Sequence, residues 1–242
     1  MPFPVTIDLM ALAADLEKGG KRKLRERMKS AWRAQSCLAD LHQANDICGV
    51  LDRLAQQQQL SIDNAGLVHI HSALMTTAIL LYARATYTSG SLRERGSIQL
   101  RNLTEQQNAD HQALIKVRNS ALGHVETSAA IAGDLWHADY VFAKLAGPGL
   151  WSFASGSTAI GLNLDTVAAL KRQLPVAIDF VRARSHERLD AIQAALAEIK
   201  PSSATMMRHQ VDPVTYFGSL DTARRMLAGK PGEESTAWIP LV

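Results

Sequence analysis

A chain of 242 residues with 47% hydrophobic composition carries enough apolar side chain for a substantial core, which excludes a disordered chain or a scaffold dependent on disulfides. Aromatics are only 5%, and the plentiful Ala, Leu, Gln and Arg favour helix over sheet, because Ala and unbranched side chains lose little rotamer freedom in a helix. The net charge of +3 permits an acidic partner and demands none.

The first residues, Met1-Pro-Phe-Pro-Val-Thr-Ile-Asp8, lack a basic leader, and Asp8, Asp15 and Glu17 interrupt their apolar run, so no secretory signal is expected. From about Lys21 to Gln59 there is no Pro and the single glycine is Gly49. Apolar residues recur there at Leu24, Met28, Ala31, Leu38, Leu41, Cys48, Leu51 and Leu54, which predicts a long amphipathic helix with Gly49 as a place to break. Its start holds Lys18, Lys21, Arg22, Lys23, Arg25, Arg27, Lys29 and Arg33 against Glu26, either a solvated face or a surface that steers phosphates. Cys37 and Cys48 lie on this helix roughly 16 Å apart at the helical rise, too far to pair. They read as two buried free thiols, with a reducing, cytoplasmic setting as the default.

A second helix is predicted over 63–88, capped by Ser61-Ile-Asp63, with Leu67, Ile70, Leu74, Leu81 and Ala85 on one face. Its most apolar stretch, Ser72 to Ala83, falls short of the ~20 residues a membrane helix needs, so no membrane contact is expected. His69 and His71 stand about 200° apart on it and cannot share one ion. After a polar connector, a third helix runs from about Glu105 or Asp110 to Leu122, with Gly123 as its stop. Residues 136–163 then turn Gly- and Ser-rich around Gly147-Pro148-Gly149, and Tyr140–Leu145 pairs with Leu150–Phe153 as a hairpin.

Asp165 starts a last long helix to about Lys200, with a stripe at Val167, Leu170, Leu174, Ile178, Val181, Leu189, Ile192, Leu196 and Ile199. Pro175 predicts a kink and Pro201 a stop. The tail, 202–242, holds a short helix near 219–228. The expected fold is thus an all-α bundle over residues 1–201, with a small β-hairpin inserted at about 136–163, followed by that tail. No Walker loop, dinucleotide fingerprint or nucleophile elbow is present, and neither cofactor nor metal is expected.

The stretch that could carry chemistry is His111-Gln-Ala-Leu-Ile-Lys-Val-Arg118-Asn119-Ser-Ala-Leu-Gly-His124-Val-Glu126. Leu114, Val117 and Ala121 form one apolar stripe, and Arg118 lies about 40° from its centre, at a rim or in a polar site between helices. Asn119 is a poor residue inside a helix unless its amide has a local task. His124 falls just beyond the helix end, where terminal carbonyls favour a protonated imidazole. A proton-carrying His near a fixed guanidinium suits attack of a ribose 2′-hydroxyl on the adjacent phosphate, a reaction served by proton transfer and charge stabilisation. The structural alternative is a capping His124 and an Arg118 paired to an acid such as Glu126. His111, seven residues before Arg118, either lines the same cleft or is a satisfied interhelical His.

Arg118-Asn119-Ser-Ala-Leu-Gly-His124, closing a helix in a helical chain, resembles the signature of the HEPN superfamily, an Arg often followed by Asn or Asp with a His after four to six residues. The surrounding sequence, Ile115 to Glu126, is most similar to abortive-infection-type HEPN proteins, with Gly123 where that pattern usually has Ala and Glu126 in its acidic place. His137-Ala-Asp139-Tyr140 also resembles the segment that follows in such proteins. The resemblance implies a helical bundle that forms a homodimer with two motifs face to face, a metal-independent endoribonuclease acting on RNA as a toxin or antiviral effector, and a cognate antitoxin protein. By position it implies that Arg118 binds the scissile phosphate, His124 moves the proton and Asn119 orients one of them. Many such domains bind without cutting, so a non-catalytic binding or scaffold protein of the same fold stands beside the enzyme.

Overall fold

The computed structural model describes residues 5–18, 22–58, 65–88, 102–123, 130–131, 134–135, 137–147, 150–159 and 163–227. Helices α1 (Leu9–Lys18), α2 (Arg22–Gln58), α3 (Ala65–Thr86) and α4 (Glu105–Lys116) come first, and α4 runs on into a π-helical turn, Val117–Gly123. A two-residue pairing of β1 (Ala130–Ile131) with β2 (Asp134–Leu135) precedes the hairpin of β3 (His137–Gly147) and β4 (Leu150–Ala159). Helices α5 (Leu164–Ile199), α6 (Ser203–Met207), α7 (Pro213–Phe217) and α8 (Leu220–Leu227) follow. The chain is therefore mostly helical with a small antiparallel hairpin.

Helix α2 is a single element because its stripe is continuous: Leu24, Met28, Ala31, Leu38, Leu41, Cys48 and Leu51 are all buried. The break that Gly49 offered does not occur. Burial of Cys48 and Leu51 on either side outweighs the ~1 kcal/mol that a mid-helix glycine costs. Helix α5 likewise continues on both sides of Pro175, whose ring is exposed and gives up one N–H of the ladder. It ends at Lys200, which takes a left-handed φ of 47° just before Pro201.

The chain divides into two compact units. The first comprises residues 1–39 and 182–242. Its core joins Ala13 of α1, Leu24, Met28 and Ala31 of α2, and Ile192 and Ala195 of α5, with Leu16, Leu196 and Ile199 packed around them. Asp8 caps α1 by accepting from the N–H groups of Met10 at 2.9 Å and Ala11 at 3.0 Å. The segment before α1 pairs with the loop after α6: Asp8 N–H donates to His209 O at 2.9 Å and Val211 N–H to Thr6 O at 2.9 Å. Asp15 binds both Arg208, at 3.0 Å, and His209, at 3.2 Å.

The second unit, residues 40–181, contains the hairpin and the Arg118 motif. Its buried side chains include Leu41 and Leu51 of α2, Met75, Ile79 and Tyr82 of α3, Leu114 and Ile115 of α4, and Leu170, Leu174 and Ile178 of α5. Of the expected face of α3, Leu81 and Ala85 are buried and Leu67 and Leu74 half-buried, but the buried surface reaches further round the helix. Met75, Ala78, Ile79 and Tyr82 are buried while Ile70 is 48% exposed. The helix is apolar nearly all round, so periodicity alone leaves its rotation open. Gly66–Thr86 is long and apolar enough, by length and composition, to cross a membrane, a property it shares with core helices. Near its end, Arg84 is paired with the buried Asp40 of α2 at 2.8 Å through Nε.

The hairpin is longer than Tyr140–Phe153. Its register runs from His137↔Ala159 to Leu145↔Trp151, with an irregularity between Leu145 and Gly147 before the turn. The cap expected at Ser61-Ile-Asp63 lies outside the described residues.

Candidate functional site

Helix α4 begins at a capping box. Thr104 Oγ1 accepts from the Gln107 N–H at 3.2 Å, and Gln107 Oε1 accepts from the Thr104 N–H at 2.9 Å. Two polar contacts then fix the helix. Asp110, buried, accepts from Arg172 of α5 through Nε at 2.7 Å and Nη2 at 2.9 Å, and from Gln106 Nε2 at 2.9 Å. The Arg172 guanidinium, followed by the Gln106 bond, holds the Asp110 carboxyl below the usual carboxylate range against the opposing effect of burial. Beside it Gln173 donates to the Gln107 carbonyl.

His111 is buried, its Nδ1 is 2.7 Å from the Tyr82 hydroxyl, and the two rings meet edge to face at 5.8 Å. Burial lowers the His111 pKa, so the imidazole is held neutral, and burial pushes the Tyr82 phenol well above its ordinary value. Of the two places open to His111, this is the interhelical one. It faces α3 and is engaged there.

At Val117 the helix widens. The Val117 N–H reaches both the Ala113 and Leu114 carbonyls, and the π-helical turn begins. Such turns shift the angular position of every side chain they carry and are frequent at functional sites. Val117 is buried, whereas Arg118, Asn119 and Ser120 are half-buried. Arg118 Nη1 donates to Asn119 Oδ1 at 2.8 Å. An amide oxygen engaged this way leaves the Asn119 NH₂ and the remaining guanidinium N–H groups as donors, a fork suited to a phosphate. The amide of Asn119 is thus engaged locally, by the arginine beside it.

His124 and Glu126 lie outside the described residues, so the structure brings together Arg118 and Asn119 from the candidate set and places His111 in a buried contact with Tyr82. Tyr82, Asp110 and Arg172 are anchors that sequence reasoning missed. Tyr82 follows Met75, Ala78 and Ile79 at helical spacing, and Gln106 and Asp110 are one turn apart on α4, which are the signals that could have found them.

The basic start of α2 belongs to the other unit. There Arg22, Lys23 and Arg27 line an open cleft of about 770 Å³ with Leu24, Ala195 and Ile199, and Glu26 and Glu198 offset much of the charge. Comparison with family models, curated proteins and solved structures finds no match to this chain.

Proposed function

We propose that the chain is a metal-independent endoribonuclease of the HEPN type, a toxin or antiviral abortive-infection effector that works as a homodimer on RNA. The observation that carries this reading is the Arg118–Asn119 pair, bonded side chain to side chain at 2.8 Å on a π-helical turn at the end of α4. In the reaction the guanidinium fork holds the scissile phosphate and stabilises the charge that develops on its oxygens. His124 takes the proton of the ribose 2′-hydroxyl as its oxygen attacks phosphorus, and the 5′-oxygen leaves with a proton from the second copy's His124. The products are a 2′,3′-cyclic phosphate and a free 5′-hydroxyl. A two-fold dimer supplies acid and base from one histidine per chain.

A second reading, a non-catalytic binding or scaffold protein, draws on the other polar residues of α4. Asp110 and His111 are both engaged in interhelical bonds. The two readings separate in one assay, cleavage of a mixed RNA pool in EDTA by the native chain and by His124→Ala. Cyclic-phosphate ends from the native protein that vanish in the variant support the nuclease. Two folded, dimeric proteins that both leave RNA intact support the scaffold.

A further inference from the structure

The hairpin exposes side chains that a water-soluble surface ordinarily buries. Register places Val141 opposite Ser155, Ala143 opposite Phe153 and Leu145 opposite Trp151, and strand alternation puts all six on one face. On that face Val141 is 79% exposed, Phe153 74%, Leu145 57% and Trp151 56%. Together these four present roughly 500 Å² of contiguous apolar surface, at the upper end of what a monomer shows. The opposite face is more mixed, with Tyr140 stacked on Phe142 and Lys144 next along the strand.

We infer that this face is a docking surface for the same face of a second copy of the chain. Two such faces bury roughly 1,000 Å² of apolar side chain before backbone is counted, which reaches the size of a specific interface. The small residues Ala143 and Ser155 leave hollows beside Phe153 and Val141, so the surface offers ridges and recesses to its own copy. A lipid occupant fits less well. Among the described residues neither β3 nor β4 has a second strand beside it, and hydrocarbon cannot satisfy the open N–H and C=O groups of two edges. Nucleic acid fits less well too, because none of the four large side chains carries a charge to meet phosphate. A two-stranded hairpin alone is marginal in water, and a second copy supplies the apolar cover it lacks. The inference goes beyond the homodimer of the ribonuclease reading by naming a contact face, and association that the hairpin variants leave unmoved removes this face while that homodimer stands.

Sedimentation equilibrium of the full chain tests it. The native protein is expected to self-associate, the Val141→Ser/Phe153→Ser double variant to weaken that association at least ~10-fold, and Phe142→Ser, on the other face, to change it less than ~3-fold. Leu145→Lys gives a second variant, placing like charges across the contact at an exposed strand position. Far-UV circular dichroism and melting temperatures identify any variant that fails to fold. A native chain that stays monomeric up to ~100 µM overturns the proposal, as does association that neither the double variant nor Leu145→Lys moves. A monomer that instead floats with phosphatidylcholine–phosphatidylglycerol vesicles overturns it in favour of lipid.

Discussion

The hydroxyl of Tyr82 meets Nδ1 of His111 at 2.7 Å and ties α3 to α4 two turns ahead of Arg118. Because burial lowers the His111 pKa, the native chain keeps a neutral imidazole at a pH where the unfolded chain takes up a proton. The stability that comes from this is complete above about pH 6.5, the ordinary His value, and is lost as pH falls from there towards the lowered native value. Urea midpoints measured between neutral and mildly acid pH are expected to drop over that window in the native protein. In His111→Gln the same step should be absent. Tyr82→Phe removes one partner from a buried ring nitrogen and is expected to cost about 1–3 kcal/mol at neutral pH.

The Asp110–Arg172 pair is the second fastening of α4, and its pH window is different. Arg172 lowers the Asp110 pKa below its ordinary 3.8, so the stabilisation is present above that value and is lost as pH falls through the lowered one. Arg172→Met leaves the buried carboxylate with Gln106 as its remaining side-chain partner of the two. That variant should lose about 1–3 kcal/mol at neutral pH and show a shallower acid transition in thermal melts, since the titrating contact is gone. Unchanged melting would mean that the half-exposed guanidinium adds nothing beyond what water gives.

The two thiols are expected to be chemically silent. Cys37 is 1% exposed and Cys48 3%, and burial pushes the Cys48 thiol up to about 11. A thiol of that pKa is thiolate in only about one molecule in a thousand at pH 8, and the thiolate is the reactive form. Native protein mixed with an aromatic disulfide reagent at that pH should release little colour, while denatured protein should release two equivalents. Rapid reaction of the native chain would show that α2 opens near Cys48.

Much of this fold was legible because its long helices carry unambiguous stripes. Leu24, Met28, Ala31, Leu38 and Leu41 in α2 and Val167, Leu170, Leu174 and Val181 in α5 were all expected inward and are buried. Leu189 was expected on the same stripe and is 43% exposed. Helix α3 was legible as a helix, and Leu81 and Ala85 of its expected face are buried, but Ile70 is not, since a segment apolar nearly all round has no unique inward face. The hairpin announced itself at Gly147-Pro148-Gly149, yet its reach to His137 and Ala159 did not, because Ala, Ser and Gly in that extension alternate weakly. The site was half legible. Residue types pointed to Arg118 and Asn119, whereas the widening at Val117 depends on backbone bonds that no spacing of side chains encodes. Tyr82 as the partner of His111 is a long-range choice between two helices, and neither helix's own pattern names it.

Asn119 offers the sharpest test of the proposed chemistry. Its amide oxygen accepts from Arg118 Nη1, which in the proposed reaction makes it a positioning residue for the guanidinium. If that is its role, Asn119→Ala should lower the rate of RNA cleavage in EDTA about 10-fold, the usual scale for losing one orienting contact next to a charge-stabilising group. Asn119→Asp keeps an acceptor at the same place and should retain more of the rate than Asn119→Ala. Arg118→Lys keeps the charge but loses the planar fork and should fall further, by about 100-fold. A purely structural Asn119 would instead lower the melting temperature along with the rate, and the Asp variant would rescue neither. Half-burial of both side chains argues that the fold tolerates the changes, so that rate and stability separate. Cleavage by Asn119→Ala at the native rate would remove Asn119 from the mechanism and leave Arg118 to hold the phosphate unaided.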